Sequence, residues 1–152
     1  MVKTKYTMDI EGKNIARGML KNARVSWKTS VEMARFIKGM PITKAEQYIN
    51  DVIAQRRYLP LRRFNQEVPH RPGIERGIKT GKYPVNVSKA FLKLIANVKN
   101  NADYKGLDVN KLRIIHVSAT KGLRLPKVLK TPNGLRLVHR KSANIELIAR
   151  EE

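Results

Sequence analysis

VNKLRIIHVSATKGLRLPKVLKTPNGLRLVHRKSANIELIAR, residues 109–150, is the stretch that decides how this chain folds. Both of its ends read as strands. In residues 112–118, Leu112, Ile114 and His116 alternate with Ile115 and Val117; in residues 143–150, Ile145, Leu147 and Ala149 alternate with Glu146 and Ile148. From Val109 to Ile145 there are nine cations (Lys111, Arg113, Lys121, Arg124, Lys127, Lys130, Arg136, Arg140 and Lys141) and no acid. Residues 122–140 also lack the apolar period of a core element. Such a segment cannot fold back on its own protein, because its charges would be buried unpaired or left to repel one another. It needs a polyanion, and a nucleic-acid backbone is the commonest. Thr131-Pro-Asn-Gly134 is its turn signal. With both strands paired antiparallel the arm becomes a long hairpin, and 15 residues per limb at roughly 3.3 Å each would reach about 50 Å.

The whole composition points the same way. There are 32 Lys and Arg against 12 Asp and Glu, a formal net charge of +20. This destabilises a compact free monomer, so the partner supplies the counter-charge. Apolar residues make up 41 % of the 152, enough for one modest core with the surplus charge on faces and extensions. The absence of cysteine excludes disulfides and thiolate metal sites. No apolar run nears the roughly 20 residues of a membrane span, and the first residues lack the apolar stretch of a secretory signal. A cytoplasmic protein without a membrane partner is expected.

Residues 1–21 are mixed and polar, and are expected as an N-terminal extension ordered only against a partner. Residues 22–27 alternate weakly, as a short strand would. Thr29 with Glu32, and Thr43 with Glu46, have the spacing of capping boxes opening two helices. The first runs to about Lys38, ended by Gly39 and Pro41; the second places Ala45, Tyr48, Ile49, Val52 and Ile53 on one stripe. Residues 56–84 read as an irregular basic loop, too long for a plain connector. A third helix from near Asn86 to near Gly106 aligns Val87, Phe91, Leu94, Ile95, Val98 and Ala102.

Catalytic and cofactor chemistry is not marked out. His70, His116 and His139 lie far apart, with no metal-ligand spacing. Gly73, Gly77 and Gly81-Lys82 miss the phosphate-loop pattern, having three residues between glycines and Tyr83 after the lysine. No carboxylate pair or nucleophile elbow stands out, so no enzyme, metal or cofactor is expected. Trp27, Tyr48, Phe64, Tyr83 and Phe91 are too scattered for a stacking platform, which predicts contact chiefly with phosphate and sugar.

Arg24-Val-Ser-Trp-Lys28, Ala34-Arg-Phe-Ile-Lys-Gly-Met40, Lys44-Ala45, Leu61-Arg-Arg-Phe-Asn65, Gly81-Lys-Tyr-Pro84, Phe91-Leu-Lys-Leu-Ile95, Asn101-Ala-Asp-Tyr-Lys-Gly-Leu-Asp108 and Ser142-Ala-Asn-Ile-Glu-Leu147 follow in one order. Together they resemble the large-subunit ribosomal protein family numbered twenty-two in bacteria and seventeen in eukaryotes. The insert at 59–83 is similar to the archaeal and eukaryotic branch. The resemblance implies an α+β fold, three helices packed on a small three-stranded antiparallel sheet with a long protruding basic β-hairpin. It divides the chain into the extension 1–21, a globular domain of 22–118 and 142–152 carrying the basic loop 56–84, and an arm of 119–141. It implies a structural role in the large ribosomal subunit. The domain would bind several domains of the large rRNA, and the hairpin would line the nascent-peptide exit tunnel. The partners implied are rRNA, neighbouring large-subunit proteins and the nascent polypeptide.

Arg24, Lys28, Lys38, Arg56, Arg57, Arg62, Arg63, Asn65, Arg71, Arg76, Lys79, Lys82, Lys111, Arg113, His116, Lys121, Arg124, Arg136, His139, Arg140 and Lys141 are the expected rRNA contacts. Lys127, Val128, Leu129, Lys130, Thr131, Pro132, Asn133 and Gly134 are the expected tunnel-lining tip. This tip departs from the Arg-Ala-x-Gly-Arg-like pattern of the family, having fewer arginines and more leucines. A chromatin-like protein coating duplex DNA is the alternative that shares the charge without needing a single long arm.

Overall fold

The computed structural model describes residues 6–8, 10 and 12–152. Its main sheet has strand order β1-β8-β5, antiparallel throughout, from β1 (Ile15–Ala23), β5 (Leu112–Lys121) and β8 (Ala143–Glu151). Three helices cover one face: α1 (Trp27–Ile37), α2 (Ile42–Ile53) and α3 (Val85–Tyr104). The expected α+β architecture is therefore present. The apolar stripe of α3 (Phe91, Leu94, Ile95, Val98, Ala102) is fully buried against Ile114, Ile145 and Leu147 in one core.

β1 corrects the expectation for the N-terminus. Residues 15–23 form an edge strand of the sheet, not part of an extension, and Trp27 opens α1 rather than closing a strand. The strand was hidden because its inward positions, Ala16 and Gly18, are small. α3 lies so close that a Cβ on Gly18 would come within 2.6 Å of Val98 Cγ2. The expectation for residues 1–5, 9 and 11 lies outside the described residues. Residues 6 and 7 cross the outer face of the sheet, where Thr7 N–H donates to Glu146 Oε2 at 3.0 Å.

Neither capping box exists. Helix α1 starts at Trp27, and Glu32 is buried with its carboxylate accepting the amides of Arg62 (3.2 Å), Arg63 (2.8 Å) and Phe64 (3.3 Å). Helix α2 starts at Ile42 after Pro41, and Glu46 pairs with Lys99 of α3. Both carboxylates serve distant segments that local spacing cannot reveal.

The expected loop 56–84 is instead a second small sheet, order β2-β4-β3, from β2 (Leu59–Pro60), β3 (His70–Glu75) and β4 (Ile78–Lys82). Buried Tyr58 organises it: its hydroxyl accepts from Glu75 N–H (2.9 Å) and lies 2.5 Å from the Ile78 carbonyl. A hub of one tyrosine leaves no alternation in the strands themselves. In β5 the pairing with β8 slips between Ile114 and His116, making Ile115 a bulge residue. Leu112, Ile114 and Val117 are thus the buried set, and His116 falls on the opposite face beside Glu146.

The arm is β6 (Leu125–Thr131) paired with β7 (Gly134–Arg140), closed by Pro132-Asn133. Among the described residues it pairs with no other strand. β5 and β8 remain paired as far as Lys121 and Ala143, so the free limbs are shorter than expected. Seven residues each give a reach of about 23 Å at roughly 3.3 Å per residue.

Candidate nucleic-acid interface

A polar collar sets the arm on the body. Gly122 N–H donates to Ser142 O (3.0 Å), Leu123 N–H to Asn22 Oδ1 (3.0 Å), and Ser142 Oγ–H to Leu123 O (2.7 Å). Asn22 N–H in turn donates to Asn144 Oδ1 (2.7 Å). There is no room for a side chain at Gly122, where a Cβ would stand 2.4 Å from Ser142 Oγ. The root of the arm is therefore fixed by Asn22 of β1, Asn144 of β8 and Ser142 together.

The register of β6 and β7 gives the arm two unlike faces. Opposed residues share a face, and alternate residues take opposite faces. One face carries Lys127, Arg136 and Arg140 with Leu129 and Val138; the other carries Val128, Leu135 and Leu137 with Lys130 and His139. Thr131 Oγ1–H donates to Gly134 O (2.8 Å) across the turn.

Beside the collar lies a cleft of about 850 Å³, lined by Arg24, Lys28, Lys82, Lys121, Arg124 and Lys141. They come from the β1–α1 turn, α1, β4, the end of β5 and the arm root. No acid lines the cleft, and none of the six cations forms an ion pair among the described residues. The first turns of α1 and α3 open into it, and neither N-cap, Ser26 nor Pro84, makes a side-chain cap bond. Val85 N–H donates to Tyr83 O (3.0 Å), and the other first-turn amides, which have no acceptor within their own helix, add to the positive potential.

Trp27 and Tyr83, both half-buried, form apolar parts of the wall. Trp27 Nε1–H donates to Ala119 O (3.1 Å), its ring meets Phe64 edge-on (centroids 5.5 Å apart), and Lys121 Nζ lies 4.8 Å from its centroid. The aromatics that look scattered in sequence are brought together here, whereas Tyr48 and Phe91 are core.

A second basic surface surrounds the small sheet. Arg62 and Arg76 meet Arg35, which sequence reasoning passed over, around a cavity of about 290 Å³ above Glu32, and Arg76 stacks on Phe36 at 4.1 Å. Arg63 lies over Phe64 (5.5 Å) and Arg71 over Tyr83 (5.1 Å). Lys38, Arg56, Asn65 and Lys79 are exposed.

Four other expected contacts have carboxylate partners. Arg57 grips Glu75 with two 2.8 Å hydrogen bonds, which lower the Glu75 carboxyl and raise the guanidinium pKa. Arg113 pairs with Glu152 (2.6 Å), Lys111 with Asp108 (3.7 Å), and His116 Nε2 with Glu146 Oε1 (3.0 Å). Burial, reinforced by Glu75, raises the Tyr48 hydroxyl pKa above its ordinary value, so it stays protonated and donates to Tyr58 O (2.9 Å).

The family model for ribosomal protein L22p/L17e matches residues 18–150. Similar curated proteins carry the name large ribosomal subunit protein uL22. That of Methanoculleus marisnigri is 40 % identical over 155 aligned positions, covering 99 % of both chains. That of Pyrobaculum calidifontis is 38 % identical, covering 99 % of this chain and 83 % of the relative. That of Ignicoccus hospitalis is 41 % identical, covering 80 % of each.

Proposed function

The chain belongs to the ribosomal protein L22p/L17e family, and on that premise we propose that its body clamps several domains of the large-subunit rRNA while its arm lies along the nascent-peptide exit tunnel. It is a structural constituent of the large subunit of cytoplasmic ribosomes and not an enzyme. Its partners are rRNA and neighbouring large-subunit proteins.

The observation that carries the finer reading is the two-faced arm. Lys127, Arg136 and Arg140 on one face suit a phosphate wall, where each neutralised phosphate releases a counterion. Val128, Leu135 and Leu137 are then turned away from the RNA, toward the lumen and a passing polypeptide. The collar holds the arm at one angle, so rRNA segments bound to arm and body are held at one spacing. Phosphate contact falls to the cations without a carboxylate partner, the cleft set with Arg62, Arg63, Arg76 and Lys79 foremost. Arg57, Lys111, Arg113 and His116 chiefly hold the protein together.

Sedimentation of the tagged chain from lysate tests the docking: it should remain with the large subunit through a high-salt wash. Migration with DNA, or at the top of the gradient, would sink the reading. Photo-crosslinkers replacing Leu135 and Arg136 test the arm. Position 135 should capture nascent chains and position 136 rRNA; equal capture of rRNA at both would refute the facing.

A further inference from the structure

Resting on that RNA-binding reading, we propose that the cleft at the arm root takes an unpaired RNA segment, with one nucleotide extruded from its helix between the cationic rim and the Trp27–Tyr83 wall. Its volume of about 850 Å³ falls in the range of pockets that enclose single small ligands, roughly 300–1,000 Å³. That admits a nucleotide and its phosphates.

The lining matches the parts of such a ligand. Arg24, Lys28, Lys82, Lys121, Arg124 and Lys141 are supplied for phosphate from five places in the chain, with no acid among them. Elsewhere on this protein Arg57, Lys99 and Arg113 are neutralised by Glu75, Glu46 and Glu152. Among the described residues nothing neutralises the cations of the cleft. A duplex surface would need only phosphate contacts, yet the wall here is aromatic. Unpaired bases are commonly held against aromatic rings and guanidinium planes. Trp27 is fixed by its bond to Ala119 O and its contact with Phe64, so its ring is a preformed surface. Lys121 Nζ lies 4.8 Å from the centroid of that ring, and in the proposed complex it gives way to the base and turns to phosphate.

Trp27 is the only tryptophan in the chain, so its fluorescence reports on the cleft alone. The full chain would be titrated with a short single-stranded oligouridylate and with an A·U duplex containing the same strand, binding being followed separately by anisotropy. The single strand should change the Trp27 emission, while the duplex should bind without doing so. Lys121→Gln with Arg124→Gln should weaken single-strand binding on the order of tenfold, since each removes a charge-assisted hydrogen bond. The charge-matched pair Lys44→Gln with Lys93→Gln, exposed on α2 and α3 outside the cleft, should change it far less. Equal emission changes from both RNAs, or equal losses from both pairs of substitutions, would overturn the cleft assignment and leave RNA binding intact. Binding of neither RNA would overturn the RNA-binding reading itself.

Discussion

Two antiparallel ladders leave the same residues of this chain and are held together by different means. β5 and β8 pair within the body, and Leu112, Ile114, Ile145 and Leu147 are wholly buried between them and the helices. A few residues on, β6 and β7 pair with the same regularity, yet Leu135 is 77 % exposed and Leu137 58 %. A lone two-stranded ribbon is marginal in water, because it buries too little to offset the entropy of ordering. Hydrogen-bonded register alone therefore does not make a stable element; burial does. The arm borrows its angle from the collar, and in the proposed docking the partner supplies its cover.

The sharpest way to break this comparison is to shorten one leucine in each ladder. Leu147→Ala should cost about 2–5 kcal/mol, with the site too tightly packed to collapse, whereas Leu135→Ala should stay within about 0.5 kcal/mol. Urea unfolding followed by circular dichroism measures both, and comparable losses would show the arm to be packed after all. A buried polar group gives the next effect. Glu32→Gln retains one acceptor where three amides converge and should cost about 1–3 kcal/mol, again by urea unfolding.

Excising residues 124–140 behind the collar should change body stability by less than about 1 kcal/mol. The thermal transition should stay cooperative while retention on the large subunit in high salt falls. Loss of the transition would mean that arm and body fold as one unit. The cut must spare residues 119–121, which pair with β8 and receive the Trp27 hydrogen bond.

The smallest effect concerns the Arg57–Glu75 pair in the second sheet. Its carboxyl pKa is lowered in the folded protein, first by the hydrogen bond from Arg57. The pair's stabilisation is therefore complete above the unfolded carboxyl value of 4.5 and disappears as pH falls through the lower folded value. Arg57 is 44 % exposed, so the amount is at most about 1 kcal/mol. Melting temperature against pH for the native chain and Glu75→Gln should converge below that window; a constant gap would rule out the ionisation as the cause.

Legibility in the sequence follows the range of the force concerned. α3 was legible because its partners fall at helical spacing along a continuous stripe. The turn at Pro132-Asn133 was legible because the chemistry is local. β1 was not, since its inward residues had been reduced to Ala16 and Gly18 by a helix some 80 positions away in the chain. The two glutamates at capping-box spacing escape a local reading for the same reason: Glu32 and Glu46 answer to residues 62–64 and 99. In the candidate site, the cations were legible one by one, but their gathering around Trp27 was not. A bulge at Ile115, invisible to a period-two reading, moved His116 from the core face to Glu146.

The surplus of positive charge, 32 Lys and Arg against 12 Asp and Glu, and a hairpin free of acids are legible from the residues alone, because net charge and local turn chemistry do not depend on how distant segments meet. The tertiary structure alone decided which cations remain unpaired and share one cleft, and which arm face is basic, because both depend on strand register and on carboxylates delivered from remote parts of the chain.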